Sequence, residues 1–233
     1  NGISSHDGVK QAQDHGMQVI ITDHHLTTKP TPRAQAVVNP NQLGCDFPSK
    51  ALAGVGVAFY VLANLSTYRK KLHKSSALMS QYLDLVALGT YADVASLDYN
   101  NRILVDVGLK RIQQHLCRPG ISALLEIAGR EAVTLKAQDL GFVLGPRINA
   151  AGRMETMDIG IECLLAQDFA SAYPLAEQLN QLNVERRQVE TTMKQEALIA
   201  LDQIQLDDTV LPAALIMFEP HWHQGVILSL IHI

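Results

Sequence analysis

Four short stretches of the 233-residue chain carry side chains able to do chemistry. The densest is Asp23-His24-His25, which follows directly on the apolar run Val19-Ile20-Ile21. Imidazole nitrogen with carboxylate oxygen suits Mn or Zn, and hard carboxylates suit Mg or Mn. Successive residues of an extended chain point to opposite sides, so at most two of the three are expected to serve one metal. A polar loop, or a capping Asp with incidental histidines, would leave the same tripeptide. The second stretch, Leu88 to Leu97 (LGTYADVASL), sets Asp93 among apolar neighbours. A carboxylate there is costly to desolvate unless it is paired or bound to a cation; the alternative is an Asp at a helix end that caps the next segment.

The third stretch, Gly145 to Arg153 (GPRINAAGR), frames Arg147, Asn149 and Arg153 with small residues. Such a backbone can approach a ligand closely, and guanidinium forks suit phosphate. The competing reading is a turn with solvated arginines. The fourth, Pro220 to Gly225 (PHWHQG), places the only Trp of the chain between His221 and His223. Trp222 suits either stacking on a base or packing in a core.

The elements that must position these residues begin with a helix capped by Ser4 or Ser5, running to His15 and stopped at Gly16. Strand Val19 to Thr22, a Pro-rich loop over Lys29 to Arg33 and strand Ala36 to Val38 follow, an order typical of a parallel α/β sheet. In such sheets ligands collect at the carboxyl ends of the strands, where Asp23 to His25 lie. From Ala51 the pattern turns helical: Ala51 to Leu72, Ser76 to Ala92, Asn101 to His115, Ile121 to Ala128 and Asp158 to Ala166. A last helix spans Phe169 to Leu206, with Leu175, Leu179, Leu182, Val189, Met193 and Leu198 as its apolar stripe and Pro174 in its first turn. The run Ala213 to Phe218 reads as the first strand of a new unit.

Composition narrows the function classes. With 47% apolar residues the chain can bury a real core. The run Ala51 to Leu65 is shorter than the roughly 20 residues of a membrane span, no signal peptide opens the chain, and the cytoplasm is the expected location. Three scattered cysteines, Cys45, Cys117 and Cys163, suggest reduced thiols rather than a disulfide frame or zinc finger. A net charge of −4 argues against holding nucleic acid by bulk positive charge, so such a ligand needs a local groove.

The ordered set NGISS, ITDHH, NPN, LAGVGVAFY, LDLVALGTYADVASLDYNNRIL, LGPRINAAGR and HWHQGV closely resembles the DHH phosphoesterases, and among them the exonucleases specific for single-stranded DNA. The likeness runs from Asn1 to about Val226. It implies a DHH catalytic domain over residues 1–166, lacking its N-terminal part, a connecting helix over 167–206, and over 207–233 the start of a second α/β domain of the DHHA1 type. It also implies Mn2+ or Mg2+ in a two-metal site, single-stranded DNA as ligand, other DNA repair proteins as partners and no membrane. By resemblance His24 and Asp93 are metal ligands, His25 faces the scissile phosphate, Asp23 orients its neighbours, and Arg147, Asn149, Arg153 and His223 contact substrate. The implied activity is digestion from the 5′ end to mononucleotides, in recombination and repair.

Departures from the family pattern set further expectations. The aspartate-rich motif upstream and the acid directly before Asn1 are not in this chain, Ser96 stands where a Pro is usual, and the tail LSLIHI departs from the family. An isolated piece of this kind is expected to be inactive and to leave a sheet edge unpaired. A phosphodiesterase of short oligonucleotides or cyclic dinucleotides shares the DHH tripeptide, and a catalytically silent binding module shares the fold; the combination GTYADVASL with GPRINAAGR favours the exonuclease.

Overall fold

The computed structural model describes residues 2–27, 29–202 and 216–227. A 3-10 turn (Gly2–Ser4) leads into α1 (His6–Asp14), after which β1 (Ile20–Thr22) and β2 (Ala36–Val38) pair in parallel, Ile21 opposite Val37. These runs are rich in Ile and Val, which fit a pleated surface. The rest of the described chain is helical: α2 (Gly54–Lys71), α3 (Leu83–Ala92), α4 (Tyr99–Gln113), α5 (Pro119–Ile127), a one-turn α6 (Ala137–Asp139), α7 (Gly145–Met154), α8 (Asp158–Leu165) and α9 (Phe169–Asp202). Among the described residues no helix is long and apolar enough to cross a membrane, and all three cysteines are free.

Helix α3 is the pivot, because it is apolar on two faces and packs on both sides. Leu83 and Val86 join Leu52, Val57 and Leu104 in one cluster. Ala87 and Leu88 join Ile112, Leu124, Leu140, Leu144 and Leu179 in the larger one. Its one buried acid, Asp84, accepts from the backbone N–H of Arg118 at 2.9 Å and from Arg118 Nη1 at 2.6 Å, tying the start of α3 to the start of α5. A charge so deep in a core needs this pairing, because an unpaired carboxylate there would be strongly destabilising.

Several expectations are corrected. Ser76 to Ala92 is not one helix: a 3-10 turn (Met79–Tyr82) precedes α3. The competing reading of the arginine stretch as a turn is excluded, because the stretch is helical. A π-helical turn (Leu140–Leu144) runs straight into α7, whose second residue is Pro146. The small residues there serve packing as well, Ala150 and Ala151 being fully buried. Pro174 is the sixth residue of α9, past the first turn, so the Ala170 carbonyl loses its usual donor. The apolar stripe of α9 also differs: Ala172, Ala176, Leu179, Leu182, Met193 and Ala197 are buried, whereas Leu198 is 39% exposed. Small alanines let α5, α7 and α8 pack against its first half, so that half is core. Residues 203–206 of the expected helix lie outside the described residues, as do 213–215 of the expected strand, and 216–218 form no strand.

One close approach sets the site's geometry. A Cβ at Gly89 would stand 2.7 Å from Val55 Cγ1, so α2 and α3 touch where only a glycine fits. Gly89 lies one turn before Asp93, and Val55 one residue after the start of α2. Gly89→Ala is therefore expected to cost about 1–3 kcal/mol by overpacking against a stiff side chain, measured by urea unfolding.

Candidate metal centre

After Thr22 the chain leaves β1 and folds over its own acid. Asp23 is 3% exposed, and its carboxylate takes four donors. Oδ1 accepts from His24 N–H at 2.6 Å, His25 N–H at 2.9 Å and His25 Nδ1 at 2.6 Å; Oδ2 accepts from Ile3 N–H at 2.7 Å. Burial pushes this carboxyl up, but the donors from His25, Ile3 and His24 together outweigh it and hold it well below the ordinary carboxylate range. Asp23, His24 and His25 each present a potential ligand atom within 4.8 Å of the others, closer than an extended chain allows. With its lone pairs so engaged, Asp23 is a poor ligand and a strong organiser. It turns His25 so that Nδ1 donates and Nε2 stays free.

The opposite side of the turn is held by the NPN segment. Asn39 Nδ2 donates to the His25 carbonyl at 2.9 Å and Asn41 Nδ2 to the His24 carbonyl at 2.6 Å, while Asn39 Oδ1 accepts from Asn41 N–H at 2.8 Å. The Asp23 N–H extends the sheet to the Val38 carbonyl at 3.0 Å.

His24 faces Asp93, with Nδ1 3.6 Å from Oδ2. That is too long for a hydrogen bond. It is close to the separation of two ligand atoms that each lie about 2.1 Å from a shared cation. The nitrogen-and-oxygen donor set therefore fits a divalent metal such as Mn2+. The first turn of α2 packs on the same ring: a Cβ at Gly54 would lie 3.4 Å from His24 Cδ2.

Asp93 is the C-cap of α3 and 43% exposed, so it is not the buried acid the apolar neighbours suggested. The helix ends in a Schellman-type turn, Ala95 N–H to Thr90 carbonyl and Val94 N–H to Tyr91 carbonyl, both 3.1 Å. The left-handed position of that turn is held by Val94, at φ 53° and 88% exposed, where glycine is the usual occupant. Below it, Asn101 Nδ2 bridges the carbonyls of Ser96 and Ala51 at 2.8 Å each, tying the Asp93 turn to the approach of α2.

The candidate substrate residues fall into two settings. Arg147 turns onto α9, with Nε 3.0 Å from Asn180 Oδ1 and Nη1 2.6 Å from the Val143 carbonyl. Burial lowers its proton affinity, and the nearby Arg187 and Arg130 lower it further. Asn149 is half-buried on α7. At Gly225 a Cβ would meet both the backbone carbonyl of Arg153, a residue at the exposed end of α7, and, at 3.2 Å, Cε1 of His223. The other end of α7 abuts the metal side, since a Cβ at Gly145 would lie 3.4 Å from Ala92 Cβ, next to Asp93.

With this geometry in view, residues 1–90 match the family described as DHH family, N-terminal domain. That part of the chain carries the N-terminal domain of the DHH family. Over 97% of its length it is 51% identical to the single-stranded-DNA-specific exonuclease RecJ of Dickeya dadantii. In backbone it is similar to exonuclease RecJ bound to manganese, with TM-score 0.81 and 34% identity over 98% of this chain. It is also similar to RecJ in complex with Mg2+ from Thermus thermophilus, with TM-score 0.72 and 34% identity over 92%. The chain spans 40% of the Dickeya relative and 55% and 30% of the two solved chains.

Sequence reasoning assigns no role to Asn39, Asn41, Asn101 or Val94. The signal for the first two is present: asparagines flanking a proline at the end of the strand that pairs with β1. Two outcomes follow from the geometry. Asp23→Asn is expected to lower stability at neutral pH by about 2 kcal/mol, since charge-assisted hydrogen bonds are lost. Because the folded carboxyl is held below its ordinary value, the wild-type advantage should be full above the carboxylate range and shrink as the pH falls below it, read by urea unfolding across pH. Val94→Gly removes left-handed strain without losing packing and is expected to stabilise by about 1 kcal/mol in thermal unfolding.

Proposed function

We propose that the chain carries the catalytic part of a divalent-metal-dependent exonuclease that hydrolyses single-stranded DNA from its 5′ end to mononucleotides in repair and recombination, in the cytoplasm and alongside other repair proteins. One observation carries the proposal: His24 and Asp93 stand 3.6 Å apart at a strand end, with His25 alongside, in a chain half identical to a single-strand-specific exonuclease.

His24 and Asp93 would hold Mn2+ or Mg2+, and Asp23 fixes the histidine pair. A bound divalent cation supplies a more acidic water and offsets charge on the phosphoryl oxygens. His25, donating through Nδ1 to Asp23, directs Nε2 outward, where it can accept or, when protonated, donate a proton at a phosphate oxygen. The positive end of α2 beside His24 favours the phosphate's negative charge. Arg147, Asn149, Arg153 and His223 contact the strand's phosphates, which holds DNA without reading its sequence. Residues 1–166 form the DHH domain, 167–206 the connecting helix, whose first half packs on that domain, and 207–233 open the DHHA1-type domain.

Among the described residues this centre offers two imidazoles and one exposed carboxylate, few donors for two metals. This chain alone is therefore expected to digest no 5′-phosphorylated single strand with Mn2+. The same residues placed within the full-length Dickeya framework should release mononucleotides. His24→Ala or Asp93→Ala in that chimera is expected to cut the rate at least about 100-fold, and Asp23→Asn about 10–100-fold. Preference for dinucleotides over long strands would favour the oligonucleotide phosphodiesterase, and a chimera that binds strands without cleaving them would favour the silent module.

A further inference from the structure

Residues 216–227 form no strand and no α-helix, yet they are held at three points. Glu196 on α9 accepts at one oxygen, Oε2, from both His221 Nε2 and Trp222 Nε1, each at 2.8 Å. Val226 is fully buried. Gly225 fits against the Arg153 backbone carbonyl at a distance no Cβ could share, and the His223 ring approaches the same point. The backbone N–H of Gly225 donates to His223 Nδ1 at 3.2 Å. A backbone N–H can only donate, so Nδ1 is the acceptor and the neutral ring carries its proton on Nε2, free to donate outward.

We infer that Glu196 is a positioning residue: by holding His221 and Trp222 it docks this segment on α9 so that His223 is held at the C-terminal end of α7 as a phosphate contact. The inference rests on the function proposed above. One carboxylate oxygen that takes donors from two adjacent residues fixes both position and direction of the chain, and the next residue is His223. The same two donors hold the Glu196 carboxyl below its ordinary range. Glu196 itself touches no substrate.

Trp222 is the only Trp in the chain, so its fluorescence reads this contact directly. In the full 233-residue chain, Glu196→Ala is expected to red-shift the Trp222 emission and raise its quenching by acrylamide. Glu196→Gln, whose carbonyl oxygen can accept from both donors, should keep the wild-type spectrum. Binding of a 5′-phosphorylated single-stranded oligonucleotide with Mn2+ should weaken about tenfold in Glu196→Ala and stay near wild type in Glu196→Gln. An unchanged spectrum in Glu196→Ala would show that the contact does not hold Trp222 and would overturn the inference. So would an altered spectrum with unchanged affinity, or a Glu196→Gln variant with a wild-type spectrum that binds as weakly as Glu196→Ala, since charge rather than position would then matter. If the unmodified chain binds no strand at all, the reading of the site fails and this role fails with it.

Discussion

A single buried carboxylate organises the centre. Asp23 stands where β1 ends, and it gathers three backbone N–H groups and one imidazole N–H within hydrogen-bond distance. Left unpaired, an anion that deep would be driven to take a proton. Satisfied four times, it stays charged and converts a strand end into a tight turn that presents both histidines. The asparagines of NPN hold the same turn from its carbonyl side, so both the donors and the acceptors of this short backbone stretch are engaged.

The second half of the centre comes from packing rather than from hydrogen bonds. Asp93 is far downstream of Asp23 in the chain, on the end of a helix buried on two faces. Its position follows from the contact of Gly89 with Val55 and from the Asp84–Arg118 pair that anchors the other end of α3. The strained Val94 turn keeps Asp93 at the mouth of the site rather than inside the core. Strain of this kind persists only where surrounding contacts over-determine the backbone. Here the Asn101 bridge to Ser96 and Ala51 does that.

The remaining candidate residues are organised around α7 and α9. The π-helical turn before α7 lets an arginine-bearing helix start against the end of α3, so one element borders the His24–Asp93 pair at its N-terminus and His223 at its C-terminus. Helix α9 then supplies Asn180 to Arg147 and Glu196 to the Trp222 segment, two anchor points on one rigid rod. The backbone similarity to RecJ structures solved with manganese and magnesium extends over 98% and 92% of this chain.

Much of this is legible in the residues themselves. The parallel strand pair, the helical run after Ala51, the capacity of Asp23 to His25 for metal and the singular acid at Asp93 follow from local periodicity and side-chain chemistry, which any short window of sequence contains. The competing reading of the arginine stretch as a turn arises because Gly and Pro mark turns locally, whereas here Pro146 lies in a helix and the small residues are packing surface. The exposure of Asp93, the spacing of His24 to Asp93, the work of Asn39 and Asn41, and the contact of Glu196 with Trp222 join residues well separated in the chain. Only the tertiary structure decided these, because such contacts depend on how helices close on one another, and no local propensity encodes that distance.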